Sequence, residues 1–143
     1  MFAALLRNRL RGSALEQVPD LHRRACSWYQ TNGCLTEALQ HAHVIQDYEV
    51  AAQIIEQAAD ALKMISDWGQ ILLWLQGIPE PMIHDRPRLA LLNAWGLVLT
   101  DQIASVETLL ASAQRSLSDY EVDEPARRHW RGQIAAIQAR LAY

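Results

Sequence analysis

From Leu21 onward, apolar side chains recur at intervals of three and four, which lays them along one face of an α-helix. Leu21, Ala25 and Trp28 share a first stripe, and Leu35, Ala38, Leu39 and Ala42 a second. A third runs through Ala51, Ile54, Ile55, Ala58, Ala59 and Leu62. Gly33 separates the first two, where a glycine takes the left-handed conformation that ends a helix at little steric cost. Asp47 precedes the third and is a candidate N-cap, because its carboxylate accepts bonds from the unpaired N–H groups of a first turn. Stripes rich in alanine let helix axes approach closely. The stretch from Leu21 to Glu56 therefore reads as stacked helical hairpins, with Ala38 and Ala42 at close crossings.

The same spacing predicts helices on either side. Phe2 to Leu10 is a short amphipathic helix with Phe2, Leu5, Leu6 and Leu10 apolar. It starts with no capping sequence before it, so the chain reads as a fragment of a longer protein. Gly12, Ser13 and Pro19 mark a connector, with at most a turn of helix over Ala14 to Val18. Downstream, Asp67 caps a helix over Trp68 to Gln76. Pro79, Pro81 and Pro87 break the chain between Ile78 and Arg86 by removing backbone donors. This break is expected to be an ordered joint between two packed units, Asp20 to Gln76 and Pro87 to Leu141. Asp85 is a candidate cap for Pro87 to Leu99, a helix apolar round most of its circumference and so expected to lie between neighbours. Asp101 begins a helix over Ile103 to Leu117, Asp119 to Pro125 is a polar turn, and Ala126 to Leu141 presents Trp130, Ile134, Ile137 and Leu141. No useful stretch alternates with period two. Helix-pair starts recur every ~30 to 40 residues, the range of tetratricopeptide (TPR) and related repeats. The expected fold is all-α: degenerate TPR-like helical hairpins stacked as an α-solenoid of about seven helices.

Composition adds limits. Half of the 143 residues are hydrophobic and a fifth are charged, as in ordinary globular chains. A net charge of −3 favours no class of partner. Cys26 and Cys34 are too few for a disulfide framework and read as the reduced cysteines of a cytoplasmic protein. The first apolar run precedes its arginines, the reverse of a secretory signal. No run reaches the roughly 18 apolar residues of a transmembrane helix, so no membrane contact is expected.

Three stretches together carry a family resemblance. LHRRACSWYQTNGCLTEALQHA, DYEVAAQIIE and WLQGIPEPMIHDRPRLALLNAWGLVL resemble the middle of the MalT-like large ATP-binding regulators of the LuxR class. In that family an LHRRAAxWxxxxGxxxEAIxHA block closes the nucleotide-binding half, and a WLxxLPxxxxxxRPRL block opens a helical-repeat sensor. FAALLRNRL is similar to the end of the family's winged-helix segment. The resemblance covers nearly the whole chain and weakens after about Leu117. It implies residues 1–19 as the end of a winged-helix-like segment with its connector, and 20–143 as a TPR-like helical-repeat domain. The family's phosphate-binding loop, GxxxxGK[ST], does not occur in these residues, and neither does its helix-turn-helix module. The resemblance implies partners in the other domains of the same regulator and in an effector small molecule or regulatory protein.

Chemistry-bearing residues are scattered. His22 and Cys26 lie four apart with Cys34 nearby, short of a tetrahedral ligand set. His41 and His43 diverge around a helix. His22, Glu37 and Asp47 pair with no nucleophile at a readable spacing, so no catalytic, metal or cofactor-binding residue is assigned, and no enzymatic activity is expected. Arg7, Arg9, Arg11, Arg23 and Arg24 make one basic segment and Arg127, Arg128 and Arg131 another. They do not form one continuous face with stacking aromatics, so direct nucleic-acid contact is not expected. Trp28, Trp95 and Trp130 fall on core stripes. Trp68 and Trp74 point about 120° apart on a helix, which leaves one of them free to face a groove. The candidate groove or partner contacts are Trp68, Trp74, Arg23 and Arg24. The expected function is the scaffold and sensor segment of a cytoplasmic ATP-dependent LuxR-type transcription activator. The alternative is a free-standing TPR-like protein-interaction adaptor.

Overall fold

The computed structural model describes residues 2–64, 67–119 and 121–143, without the side chains of 10, 13–16, 62 and 63. The stripe positions Leu10 and Leu62 thus lie outside the described side chains. Every regular element among the described residues is helical: α1 (Phe2–Thr31), α2 (Leu35–Val44), α3 (Tyr48–Met64), α4 (Trp68–Gln76), α5 (Glu80–Asp85), α6 (Pro87–Leu99), a 3-10 turn (Ile103–Ser105), α7 (Val106–Asp119) and α8 (Glu124–Leu141). The chain divides into two compact units, Met1–Ile54 and Ile55–Tyr143, with the division inside α3.

In the first unit α1 packs against α2. Gly33 joins them with φ 76°. Its N–H donates to the Gln30 carbonyl (3.3 Å), and the Cys34 N–H donates to the Tyr29 carbonyl (2.9 Å), so two of the last carbonyls of α1 are satisfied. Ala38 and Ala42 are fully buried, as close crossing requires. The same bonding pattern closes α2 around Gln46, a non-glycine residue at φ 55°. There the Asp47 N–H donates to Ala42 and the Gln46 N–H to His43. Asp47 then caps α3, its Oδ1 accepting from the Val50 N–H at 3.3 Å.

Two expectations for α1 need correction. The predicted connector at Gly12 to Pro19 is helical, and Pro19 lies inside α1. A proline removes one helical bond and strains one turn, but strong helix formers on both sides carry the helix through. The inner face is also turned by one residue from the predicted stripe. Leu21 and Trp28 are 58% and 60% exposed, while Cys26 is buried and His22 and Tyr29 are half-buried. Positions 22, 26 and 29 have the same three-four spacing as 21, 25 and 28. Partners on α2 decide between the two.

In the second unit α6 is the central helix. It packs against α4, α5, α7 and α8, and Leu89, Leu91, Leu92 and Val98 are buried round it, as its all-round apolar pattern predicts. Asp67 caps α4, accepting from the Gln70 N–H at 3.2 Å, and Asp123 caps α8, accepting from the Ala126 N–H at 3.0 Å.

The proline-rich stretch differs from expectation. It holds the short helix α5, with Pro79 at the N-cap and Pro81 in the first turn, where no intrahelical N–H bond is lost. Ile78 and Ile83 are buried, and α5 packs on α6 and α7. The stretch belongs to the second unit and is not the joint between units. Arg86, not Asp85, holds the N-cap position of α6, and it makes no side-chain capping bond. Asp101 does not begin a helix. It sits at φ 61° just past α6, with its N–H on Val98 and the Gln102 N–H on Leu97 at 2.7 Å.

Candidate functional site

The RPRL segment, Arg86 to Leu89, forms an ionic clasp inside the second unit. Pro87 is buried at the first position of α6, which fixes the backbone so that Arg86 and Arg88 reach α3. Arg86 Nη1 lies 3.0 Å from Glu56 Oε1, with the side chains only 14% and 18% exposed. Arg88 Nη2 lies 3.2 Å from Asp60 Oδ2, and that pair is 40% and 73% exposed. Glu56 and Asp60 are one turn apart on α3, so the two arginines engage one ridge. The exposed pair contributes little, whereas loss of Arg86 leaves the shielded Glu56 carboxylate without this cation.

A second polar cluster ties α5 to α7. His84 Nδ1 is 2.5 Å from Ser112 Oγ, and its Nε2 is 3.6 Å from Glu80 Oε1. The Ser116 hydroxyl donates to the His84 carbonyl at 2.9 Å, and Arg115 Nη2 donates to Ser112 Oγ at 3.3 Å. Serine, histidine and glutamate in this order match the residue types of a nucleophile, base and orienting acid. The resemblance stops there. Ser112 is 4% exposed within a helix, and its hydroxyl also lies 3.0 Å from the Thr108 carbonyl. The cluster is a clasp between helices.

In the first unit His22 Nδ1 and His41 Nδ1 are 2.8 Å apart, and His41 stacks on Tyr29 with ring centroids 5.5 Å apart. The bond needs one ring nitrogen to donate and the other to accept. The same unit holds a cavity of about 280 Å³, lined by Arg23, Cys26, Gln30, Ala42, Ile45 and Asp47 among others. Burial pushes the Cys26 thiol up, and the Asp47 carboxylate adds to the effect. Both cysteines are free. Among the described residues no three His, Cys, Asp or Glu side chains converge as metal ligands, and no helix is long and apolar enough to cross a membrane.

The four predicted contact residues fall in different settings. Arg23 lines the cavity and pairs with Asp20 at 2.9 Å on an exposed surface. Arg24 is exposed on α1. Trp74 is buried in the second unit and Trp68 is half-buried, so neither tryptophan is an open aromatic platform. Trp28, read as core, is exposed and meets Tyr29 edge to face. The His22–His41 and His84–Ser112 contacts were not readable in advance, because 19 and 28 residues separate the partners.

The motif blocks now have structural meaning. His22, Cys26, Gly33, Ala38, His41 and Ala42 of the first block build the α1–α2 hairpin. Arg86, Pro87, Arg88 and Leu89 of the second build the clasp and the core beneath it. No family model and no solved structure matches the chain. Among curated proteins it is 32% identical over 97% of its length to a segment of the serine/threonine-protein kinase PknK of Mycobacterium tuberculosis, covering 12% of that protein. It is 28% identical over 99% of its length to a segment of the HTH-type transcriptional regulator MalT of Yersinia pestis, covering 16% of that regulator. The chain therefore spans about an eighth to a sixth of these relatives. Along almost its whole length it is similar to one region of the MalT-like transcriptional regulators, as its motif blocks indicate.

Proposed function

We propose that the chain acts as the scaffold and sensor segment of a cytoplasmic, ATP-dependent LuxR-type transcription activator, passing effector binding on to oligomerisation. The similarity to MalT over 99% of the chain supports this reading. Both motif blocks are built of turns, close crossings and clasps, which suits a part that transmits force and does no chemistry. In a TPR-like stack each hairpin touches its neighbours, so a shift at one crossing changes the next. The partners are the other domains of the same regulator and an effector small molecule or regulatory protein. Enzymatic activity, direct nucleic-acid contact and membrane contact are not part of the proposal. ATP handling belongs to a phosphate-binding loop, which these residues do not contain. The test is made in the natural full-length protein. Arg86→Met should alter effector-dependent oligomerisation, read by sedimentation, and reporter activation together. Oligomerisation insensitive to this clasp, or a natural reading frame without a phosphate-binding loop and a helix-turn-helix, would overturn the proposal.

A second reading is a helical-repeat adaptor with no link to transcription. It is favoured by the 32% identity to a segment of a protein kinase, since a comparable segment then serves a protein of another kind. The reading frame discriminates between the two.

A further inference from the structure

We infer that the groove between α7 and α8 is a binding site for a small oxyanion, the phosphate or carboxylate group of a small organic molecule. The groove encloses about 550 Å³. Its floor is apolar, with Leu117 and Ile134 buried, and its walls carry Gln114, Gln138, Arg127 and Arg131. The two arginines stand one turn apart on α8, so both guanidinium groups serve the same wall. Arg127 reaches Glu124 only at 4.0 Å, through Nη1. Its Nε is shut off from solvent and has no hydrogen-bond partner among the described residues. The Arg127 side chain is still 31% exposed and lines the groove, so it meets a ligand through atoms other than Nε. Arg131 is exposed and makes no ion pair among the described residues. Among the described residues no carboxylate lines the groove. The acids of the neighbouring turn are exposed, and Asp123 is already engaged as the cap of α8. Two forked cations with neutral amides beside them fit an oxyanion held in charge-assisted bonds. The apolar floor fits the hydrocarbon part of a small ligand. The site holds whether the chain serves a transcription activator or an adaptor.

The arginine Nε–Hε signals in ¹⁵N-edited NMR of the whole chain test this directly. Inorganic phosphate and sodium acetate are the two probes, each titrated against chloride at constant ionic strength. The signals of Arg127 and Arg131 should shift saturably, and the tighter probe tells phosphate from carboxylate. Arg131→Gln should weaken binding by about tenfold or more. Arg127→Lys, which keeps the charge but loses the fork, should weaken it as well. Glu124→Gln should tighten it by removing the competing acid. Arg128→Gln, exposed on the same helix, should leave it unchanged. Circular dichroism checks that each variant is folded. An absence of saturable shifts, or equal weakening by Arg128→Gln and Arg131→Gln, would overturn the site, the latter by reducing it to general surface attraction.

Discussion

Gly96 in α6 lies directly against Leu72 of α4. A Cβ at this position would stand 2.7 Å from Leu72 Cδ2 and 2.9 Å from Cγ. A leucine methyl can rotate away, but Cγ moves only with a new χ1 or with separation of the helices. Overpacking of this kind costs about 1–3 kcal/mol. Alanine in place of glycine inside a helix returns about 1 kcal/mol. Gly96→Ala should therefore destabilise the fold by up to about 2 kcal/mol net, lowering Tm by as much as about 6 °C for a chain of this size. Gly132 in α8 supplies the control, because nothing lies within 4 Å of its added Cβ. Gly132→Ala should raise stability by up to about 1 kcal/mol from the propensity difference alone. Urea titrations followed by circular dichroism and by tryptophan fluorescence would measure both. Leu72→Ala combined with Gly96→Ala should recover part of the loss, giving a coupling that two independent substitutions would not show. If Gly96→Ala proved as stable as Gly132→Ala, the close crossing of α4 and α6 would not exist.

The two clasp arginines should behave unequally in the same assay. Arg86→Met should cost about 2–3 kcal/mol by stranding the shielded Glu56 carboxylate, and Arg88→Met less than about 0.5 kcal/mol. At the left-handed positions, Gln46→Gly and Asp101→Gly should each stabilise by about 0.5–1 kcal/mol, seen as higher urea midpoints with unchanged slopes. Iodoacetamide at pH 8 should label Cys34 well before Cys26, as peptide mass spectrometry would show. The raised pKa leaves Cys26 less thiolate than an ordinary cysteine until the pH passes that raised value, so the gap should narrow as pH rises.

Much of the helix framework was legible because its signals are local. Gly33, Asp47 and Asp67 mark helix ends through their own backbone or side-chain chemistry, and all three do so in the structure. The central position of α6 followed from apolar residues on every side of it. The errors arose where a local rule met a tertiary answer. Pro19 weakens a helix without ending it, and the spacing 21, 25, 28 cannot be told from 22, 26, 29 until His41 supplies a partner. In the candidate site, the RPRL block was visible as a motif, but its partners were not. The one available signal was a pair of acids four residues apart on a helix, Glu56 and Asp60, matching two arginines on either side of a buried proline. The His84 cluster gave no signal at all, because only the packing of α5 on α7 brings its residues together.

Three helices, α1, α2 and α6, end in three-residue connectors: 32–34, 45–47 and 100–102. Each connector folds back through the same two backbone bonds. Such short loops close at little entropic cost, and α1 and α2 become neighbours as soon as both have formed. Contacts of this kind keep contact order low, which places folding in the microsecond-to-millisecond range typical of helical domains. Each hairpin can thus gain its shape while it is still leaving the ribosome, with no need to wait for a distant strand of chain.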